Sequence, residues 1–372
     1  MSKRKKALIA FLGNAYFDSR VFNLRNSLSH SGLNVRVVSF NWLEKRSTSE
    51  DPAIKVYNLR RRPAVLFYLG FLLRLKMNLL FGKFDYYFAE DVYTLPLVVI
   101  FAKIYRGKIF YNSRELYGYL AGLREKGRVQ RIIAEIERRF IKYADHVLVT
   151  GEMDAEFIRQ TYEIEKPVVI RNLPLFTKPE SLIDLRKQLN IPEEGLIILY
   201  QGVLLEGRGI MPALEAIKDL PNVYFVLLGD GAEREQFESA AKNLDLYDRS
   251  FFLGFIPNDK LINYTASADL GLALIENISK SYYYALPNKL FEYIMAGVPV
   301  VCSDLPQMTA VVEKYNIGSV VDLNSRNSVR DIIAEISERR EELLQLKENC
   351  RIAARELNWQ NEFNKLKVLL RI

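Results

Sequence analysis

The segment Leu286-Pro-Asn-Lys-Leu-Phe-Glu-Tyr-Ile-Met-Ala-Gly-Val-Pro-Val-Val301 joins a short helix to a buried strand. Pro287 suits the first helical turn, and Asn288 can cap that turn. Gly297 can end the helix, and the apolar run after it suits a strand that is buried on both faces. A helix that leads directly into such a strand is typical of a parallel α/β sheet.

Short β-rich runs alternate with longer helical stretches on both sides of this segment. The predicted strands are Ala7–Leu12, Val35–Val38, Lys108–Tyr111, His146–Val149, Leu196–Tyr200, Tyr224–Leu228, Ser250–Leu253, Leu270–Leu274, Val298–Val301 and Ser319–Val321. Helices are predicted between them, for example over Glu125–Tyr143, and Ser328–Ile372 is predicted to be mostly helical. The alternation predicts βαβ units and therefore parallel sheets.

The alternation is interrupted over residues 166–195, where four prolines mark a domain boundary. A chain of 372 residues also exceeds the roughly 250–300 residues at which one hydrophobic core stops growing. Two consecutive doubly wound α/β domains are therefore predicted. Such sheets bind ligands beyond the carboxyl ends of their strands, so the site is expected in a cleft that both domains face.

The composition excludes several classes of protein. Hydrophobic residues make up 49% of the chain and charged residues 26%, which indicates a globular protein. Cys302 and Cys350 cannot form a disulfide framework, and no metal site is expected from them or from His30 and His146. Both histidines are expected to be structural. The apolar run after the basic N-terminus lacks a signal peptide's cleavage site, so a cytoplasmic location is expected.

The net charge of +7 is unevenly distributed. Residues 1–172 contain 30 Lys and Arg against 17 Asp and Glu, a balance of +13, and the remainder contains 22 against 28, or −6. A basic first half suggests an acidic partner such as anionic lipid or a phosphate-bearing acceptor. A solvated basic surface without a partner is the alternative. No nucleic-acid partner is expected.

Lys289 and Glu292 lie three residues apart, so both point to one side of the first turn of the predicted helix. The free N–H groups at that end can hold a phosphate, and Lys289 adds a full positive charge. Glu292 offers two acceptor oxygens, which suit a ribose diol. The alternative is an ion pair between the two on an exposed helix.

A second candidate site is the loop Gln201-Gly-Val-Leu-Leu-Glu-Gly-Arg-Gly209, which follows a predicted strand. Its glycines, beginning with Gly202, let the backbone approach an anion that Arg208 can hold. A plain surface loop is the alternative. The nearby Gly229-Asp-Gly231 does not indicate a dinucleotide site, because Arg234 stands at the third glycine position.

The first half also has polar segments after predicted strands. Gly13-Asn14 ends the first strand, Asp18-Ser-Arg-Val21 leads into a helix, and Asn112-Ser-Arg-Glu115 follows the strand Lys108–Tyr111. All three lie where a doubly wound sheet holds its ligand.

Together these segments resemble the retaining glycosyltransferases of family 4, which have the GT-B fold. The resemblance covers nearly the whole chain, and Pro287-Asn-Lys-Leu-Phe-Glu-Tyr…Gly-Val-Pro-Val-Val301 is its most specific part. Also matching are Asp18-x-Arg-Val21, Ala144-Asp145, Asn172-x-Pro174 and Gly229-x-Gly231. The resemblance implies an acceptor-side domain over residues 1–172, a donor-binding domain over 173–352, and a C-terminal helix, 353–372, that returns to the first domain.

The resemblance also implies roles for particular residues. Glu292 would hold the donor ribose, and Arg208 and Lys289 would neutralise the diphosphate without a metal ion or other cofactor. The remaining residues expected at the donor are Gly13, Gly202, Tyr284 and Asn288.

Two positions depart from the family pattern. Tyr284 stands where a glutamate usually precedes Glu292 by eight residues, and Arg114 stands where related sequences have the histidine of Asp-x-His-Glu. We therefore expect Arg114 to stabilise the leaving phosphate electrostatically and Glu115 to be the acid/base candidate.

The expected function is transfer of a hexose, with retention, from a UDP- or GDP-sugar to a surface-glycan or lipid-linked acceptor. One alternative is a non-catalytic, glycosyltransferase-like binding subunit, which Tyr284 and Arg114 favour. Another is a nucleotide-sugar epimerase, which the scarcity of histidine disfavours.

An apolar stretch in the first half suggests contact with a membrane. Arg60-Arg-Arg62 and Pro63 precede Ala64–Phe81, which is interrupted only by Arg74, Lys76 and Asn78. Its charges make a spanning helix unfavourable, whereas an interfacial helix at the inner face of the membrane fits the basic flanks. The alternative is a buried helix of the first α/β domain.

Overall fold

The computed structural model of the protein describes residues 4–42, 51–59, 64–120, 126–325 and 327–372. The chain forms two compact units. Unit 1 comprises residues 1–172 and 362–372, and unit 2 comprises residues 173–361. The predicted residues Arg60-Arg-Arg62, Pro63 and Glu125 lie outside the described residues.

Strands and helices alternate along unit 1. Its elements are β1 (Lys6–Ala10), α1 (Ser19–His30), β2 (Asn34–Asn41), β3 (Ile54–Asn58), α2 (Ala64–Leu80), β4 (Tyr86–Ala89), α3 (Leu95–Tyr105), β5 (Lys108–Ser113), α4 (Gly127–Ile141), β6 (His146–Val149), α5 (Glu152–Tyr162) and β7 (Val168–Val169).

The strands of unit 1 form one parallel sheet in the order β3-β2-β1-β4-β5-β6-β7. Central strands such as β4 are buried throughout, as expected for a parallel sheet that helices cover on both faces. The chain order reverses between β1 and β4, so their carboxyl ends are the expected place for a ligand.

The same alternation continues through unit 2. Its elements are α6 (Leu185–Leu189), β8 (Leu196–Gln201), α7 (Ile210–Ile217), β9 (Val223–Leu228), α8 (Arg234–Asn243), β10 (Ser250–Gly254), α9 (Asn258–Thr265), β11 (Leu270–Ala273), α10 (Lys280–Tyr283), α11 (Asn288–Ala296), β12 (Val300–Ser303), α12 (Pro306–Tyr315), β13 (Gly318–Val321), α13 (Ser328–Glu338) and α14 (Glu342–Glu356), followed by α15 (Trp359–Leu370).

The sheet of unit 2 is also parallel, in the order β10-β9-β8-β11-β12-β13. Side chains of β8 alternate between two hydrophobic clusters, with Ile197 and Leu199 in one and Leu196 and Ile198 in the other. The alternation places one cluster on each face of the sheet. The chain order reverses between β8 and β11, which marks the ligand-binding edge of this unit.

The two parallel sheets confirm the predicted α/β class. The predicted strands match observed ones to within two residues, except that β2 ends at Asn41 rather than Val38, and β3, β4 and β7 were not predicted. Strand β12 is shifted as a whole, since it starts at Val300 rather than Val298. The reason is the end of α11: Gly297 adopts a left-handed conformation, and the Val298 amide still donates to Tyr293 O at 2.9 Å. Val298 therefore closes the helix before the strand begins.

The last helix, α15, enters unit 1 at Glu362. Buried Glu362 accepts a hydrogen bond from the Arg171 amide at 3.0 Å, and Tyr86 donates to the Leu370 carbonyl at 2.8 Å. Residue 353, where the sequence predicts that the returning helix begins, still lies within α14.

Helix α2 packs into unit 1 through one side and exposes apolar side chains on the other. Phe71, Leu75 and Leu79 are buried in unit 1, whereas Leu69 and Leu73 on other sides of the helix are exposed. None of the helices in the described part of the chain is long and apolar enough to cross a bilayer.

Candidate functional site

The loop after β8 lies at the ligand-binding edge of unit 2. Gly202, its first residue, is exposed and has a φ of +134°. Gly229, which follows β9, approaches so closely that a Cβ on it would collide with the carbonyl oxygen of Gly202. Glycine is required there because two backbone segments meet. The Gly202 amide donates to the Leu228 carbonyl at 2.9 Å, so this loop is held against the end of β9.

Helix α11 begins at the same edge. Its N-cap is Pro287, which provides no side-chain cap, and Asn288 is the exposed first helical residue. The N-cap position is therefore occupied by Pro287 and not, as the sequence predicts, by Asn288, which is already helical. Because the N-cap residue Pro287 has no side-chain acceptor, the N–H groups of this turn are suited to an anion.

Lys289 is the most unusual residue of this edge. Its side chain is only 7% exposed, and its ammonium has no hydrogen-bond partner among the described residues. The Nζ atom lies 3.5 Å from the centroid of the Tyr200 ring and 3.8 Å from where a Cβ of Gly202 would be. Burial, and then the charge of Arg208, lower the pKa of Lys289 well below its ordinary value, although Glu292 opposes this.

A buried cation without a partner destabilises a folded protein. Such an arrangement is explained if an anionic ligand binds beside Lys289, where the first turn of α11 can contact the same ligand. Lys289 and Glu292 form no ion pair with each other in the structure, which rules out the alternative considered from their spacing.

Glu292 is held by residues of other elements. Gln201 donates from Nε2 to Glu292 Oε2 at 2.5 Å, and its Oε1 accepts a hydrogen bond from Thr265 Oγ1 at 2.7 Å. Burial raises the pKa of Glu292, whereas Gln201 and Lys289 lower it. These contacts fix one carboxylate oxygen and leave Oε1 without a hydrogen-bond partner among the described residues. Glu292 can therefore accept from a ligand hydroxyl.

Arg208 adds a second cation. Its guanidinium carbon lies 4.9 Å from the centroid of the Tyr282 ring, which orients the side chain by a cation–π contact. Gly207 and Gly209 on either side both have positive φ. Tyr284, which follows α10, is partly buried, and its carbonyl accepts from Gln307 Nε2 at 2.6 Å.

Unit 1 has a charged cluster at the corresponding edge of its sheet. Arg114 after β5 pairs with Asp18 at 2.5 Å, and its guanidinium carbon lies 4.9 Å from the centroid of the Phe11 ring. Burial lowers the pKa of Arg114, but Asp18 and Glu90 outweigh burial and raise it overall. A Cβ on Gly13 would collide with the Phe11 ring, so Gly13 is required for this packing.

A buried carboxylate in this cluster was not singled out from the sequence. Glu90 directly follows β4, is fully buried, and accepts from Asn112 Nδ2 at 3.0 Å through Oε2. Arg20 donates to Asn112 Oδ1 at 2.6 Å. Burial raises the pKa of Glu90, and Arg20 and Arg114 oppose that rise. Glu115, the predicted acid/base residue, is exposed, whereas Glu90 is a fully buried carboxylate of the cluster.

Two further sequence predictions concern metals and histidines. Among the residues that the structure describes, no group of three or more His, Cys, Asp or Glu is arranged to hold a metal ion. His30 ends α1 and contacts the Asn26 carbonyl at 2.8 Å, and His146 begins β6 with its ring 5.0 Å from that of Phe110.

Proteins of the GT-B class are built from two parallel-sheet α/β units. Both units are present in this chain, and unit 2 has a cationic edge beside a glycine-rich loop. The chain belongs to the glycosyltransferases: residues 19–173 match the family model described as Glycosyltransferase Family 4, and residues 183–355 match the model described as Glycosyl transferases group 1.

Solved structures with this fold cover nearly the whole chain. Sucrose-phosphate synthase from Thermosynechococcus elongatus has a TM-score of 0.82 at 18% identity, over 99% of this chain and 98% of the other. HepE of Anabaena, solved with UDP and glucose, has a TM-score of 0.75 at 16% identity, over 99% and 100%. At these identities the likeness shows the fold.

A curated relative shares part of the sequence. The lipopolysaccharide core biosynthesis glycosyltransferase LpsD of Rhizobium meliloti (strain 1021) is 31% identical over 118 residues. The alignment covers 32% of this chain and 32% of the relative, so the chain spans about a third of that protein's length.

Proposed function

We propose that the chain transfers a hexose, with retention of configuration, from a UDP- or GDP-sugar to a surface-glycan or lipid-linked acceptor. The observation that carries the proposal is the buried ammonium of Lys289, which has no hydrogen-bond partner among the described residues and lies beside the exposed glycine Gly202. Unit 2 is the proposed donor-binding domain and unit 1 the acceptor-side domain.

The diphosphate of the donor is the proposed ligand of the cationic edge. The negative charge of the diphosphate would be met there by Lys289, by Arg208 and by the N–H groups of the first turn of α11. Negative charge grows on the diphosphate as its bond to the sugar breaks, so cations already in place stabilise the transition state more than the ground state. These groups can neutralise the diphosphate without a metal ion.

The donor ribose is the proposed ligand of Glu292. Gln201 holds one oxygen of this carboxylate, and Oε1 would accept from the ribose hydroxyls. Asn288, in the first turn of α11, is proposed to contact the donor as well. Tyr284 stands where the family pattern has a glutamate, so we propose that Tyr284 contacts the donor sugar.

LpsD and HepE suggest which substrates to test first. LpsD is named for lipopolysaccharide core biosynthesis, which supports a surface glycan as acceptor, and HepE was solved with UDP, which makes UDP the first donor nucleotide to test. The proposed place of action is the cytoplasm, with peripheral contact at the inner face of the membrane, where a lipid-linked acceptor is presented.

A thermal-shift screen with UDP, GDP, ADP and their sugars tests donor binding. A ligand at about 100 times its dissociation constant stabilises the folded protein by about 2.7 kcal/mol, which raises the melting temperature measurably. We expect UDP or GDP to do so, here called the selected diphosphate. If none of the nucleotides changes the melting temperature, the proposed donor site is wrong.

Replacing Glu292 by alanine is expected to weaken both the selected diphosphate and its parent nucleoside roughly 10- to 150-fold, because both contain the ribose diol. Calorimetric titration of each ligand measures the losses. Glu215→Ala, at an exposed position of α7, is the matched control and should change neither affinity. Loss of diphosphate affinity with unchanged nucleoside affinity would contradict the ribose assignment.

Replacing Arg114 by alanine is expected to lower kcat more than it raises the donor KM, since its proposed role is electrostatic stabilisation of the reacting state. Steady-state kinetics measures both constants. Arg25→Ala removes another arginine–aspartate pair from unit 1, with Asp51, and should leave both constants unchanged. Wild-type kcat in the Arg114 variant would show that the Asp18–Arg114 pair is structural.

A further inference from the structure

Helices α2, α3 and α4 of unit 1 lie side by side on one face of its sheet. Each connects a strand to the next strand in the same direction across the sheet, and right-handed crossovers in one direction place their helices on one face. Helix α2 packs against α3, and α3 packs against α4. Their outward sides therefore form one continuous surface, here called the α2–α4 face.

The outward side of α2 is apolar although it faces solvent. Exposed side chains recur every three or four residues at Leu66, Leu69, Leu73, Met77 and Leu80, with Leu69 56% and Leu73 61% exposed. A helix on the surface of a globular domain ordinarily has polar residues on this side. The inward side of α2 already fills the core, so packing within unit 1 does not explain the outward stripe.

The apolar side chains continue across the other two helices. Ile100 and Ile104 are exposed on α3, Ile104 to 63%. Ile132 on α4 is 60% exposed and is accompanied by Val129 and Ile136. An apolar surface that extends over three neighbouring helices is typical of an interaction site rather than of scattered surface residues.

The charges on these helices are mostly of one sign. The three helices contain seven Lys and Arg but two glutamates, Glu135 and Glu137. Glu137 is buried and accepts hydrogen bonds from Tyr111 and Tyr162, and Glu135 lies 3.9 Å from Arg138. Exposed bases such as Lys76 therefore lie among the apolar side chains without an equal number of exposed acids.

We propose that the α2–α4 face docks on an anionic lipid bilayer, with its apolar side chains in the headgroup region and its basic side chains against lipid phosphates. Apolar residues flanked by Lys and Arg are what binding in the plane of a membrane requires. A second copy of the chain fits less well, because two basic faces repel each other. The inference rests on the proposed function in one respect: the membrane would supply the lipid-linked acceptor.

Vesicle flotation with the purified full-length chain tests the proposal. Wild-type protein is expected to float with vesicles of phosphatidylcholine containing phosphatidylglycerol, and less with vesicles of phosphatidylcholine alone. Binding should fall as NaCl rises, because salt screens the attraction to lipid phosphates. Failure to float with the anionic vesicles at low salt would overturn the proposal.

The double variant Leu69→Glu/Leu73→Glu is expected to bind anionic vesicles at least tenfold more weakly, because it places two carboxylates on the face. Both positions are exposed, so the fold should persist. The matched control, Leu182→Glu/Leu344→Glu, changes two exposed leucines of unit 2 and should bind as wild type does. Equal vesicle binding by the two double variants would contradict the assigned surface.

Nucleotide binding separates this inference from the proposed function. The Leu69→Glu/Leu73→Glu variant should keep the wild-type thermal shift with the selected diphosphate while losing vesicle binding. A wild-type protein that binds the diphosphate but not vesicles would remove only the docking inference. One that binds vesicles but no nucleotide would remove only the proposed donor site. If the wild type does not bind vesicles but forms a dimer that this variant dissociates, the face binds a second copy of the chain instead.

Discussion

Replacing Lys289 by methionine is expected to weaken binding of the selected diphosphate roughly 10- to 150-fold, or about 1.5–3 kcal/mol, by removing a charged contact to phosphate. The parent nucleoside should lose little affinity, because it has no phosphate. The same change should stabilise the ligand-free protein by about 1–3 kcal/mol, since it removes a buried ammonium without a hydrogen-bond partner. Calorimetric titration and thermal unfolding measure the two effects.

The gain in stability expected for the Lys289→Met variant should depend on pH. The pKa of Lys289 is lowered in the folded state from its ordinary value of 10.5, so the unfolded chain binds more protons between these two pKa values. Stability of the wild type therefore rises with pH across that window, and the advantage of the methionine variant shrinks there. Diphosphate binding by the wild type should weaken as pH rises through the folded pKa, where Lys289 loses its proton.

The control for Lys289 is Lys260→Met, which changes an exposed lysine of α9. This variant should change neither the affinity for the selected diphosphate nor the pH dependence of the free energy of unfolding. Equal losses of nucleoside and diphosphate affinity in Lys289→Met would show that Lys289 does not contact phosphate. A less stable ligand-free variant would show that its ammonium has a stabilising partner.

Replacing Arg208 by glutamine is expected to lower kcat about 100- to 1,000-fold, the loss typical when one preorganised group that stabilises a developing anion is removed. Lysine at this position should restore part of the rate, because it keeps the charge but not the planar fork of donors. Single-turnover kinetics with saturating donor measures the chemical step apart from binding.

The control for Arg208 is Arg330→Gln, which breaks a surface pair with Asp331 in the same unit. Such surface pairs contribute little to stability, so its kcat should equal that of the wild type. An Arg208→Gln variant that melts as the wild type does and keeps its kcat would remove Arg208 from the proposed mechanism.

Much of the fold could be predicted because its signals are local. A run such as Leu196–Tyr200 contains apolar residues without interruption, and only a strand covered on both faces buries all of them. The start of β12 was less predictable, since Val298 is apolar enough for a strand but its amide still closes α11. A boundary of this kind depends on hydrogen bonds that composition does not reveal.

The candidate site was predicted in part for the same reason. The spacing of Lys289 and Glu292 correctly placed both on the first turn of α11, but their partners come from β8, far away in the sequence. Glu90 was missed because an acid after a short strand has the same local sequence whether it is exposed or buried. Its burial follows from the strands and helices that surround it.

Helix α2 shows a further limit of prediction from sequence. An apolar stretch with few charges fits a helix in the core and a helix at a membrane surface equally well. The structure shows that Phe71 and Leu75 face the core while Leu69 and Leu73 face solvent. Only the packing of neighbouring elements determines which side of such a helix is covered.

The measurement that tests the proposed function most directly is product analysis after the purified wild-type chain is incubated with the sugar nucleotide of the selected diphosphate. Chromatography separates the free nucleoside diphosphate from the intact donor and from an epimerised donor. Because no glycan acceptor is present, water receives the hexose, so we predict that the wild type releases one nucleoside diphosphate and one free hexose for each donor consumed. Arg208→Gln should release about 100- to 1,000-fold less per unit time. Unchanged donor would indicate a binding subunit, epimerised donor would indicate an epimerase, and either result would contradict the proposed transfer.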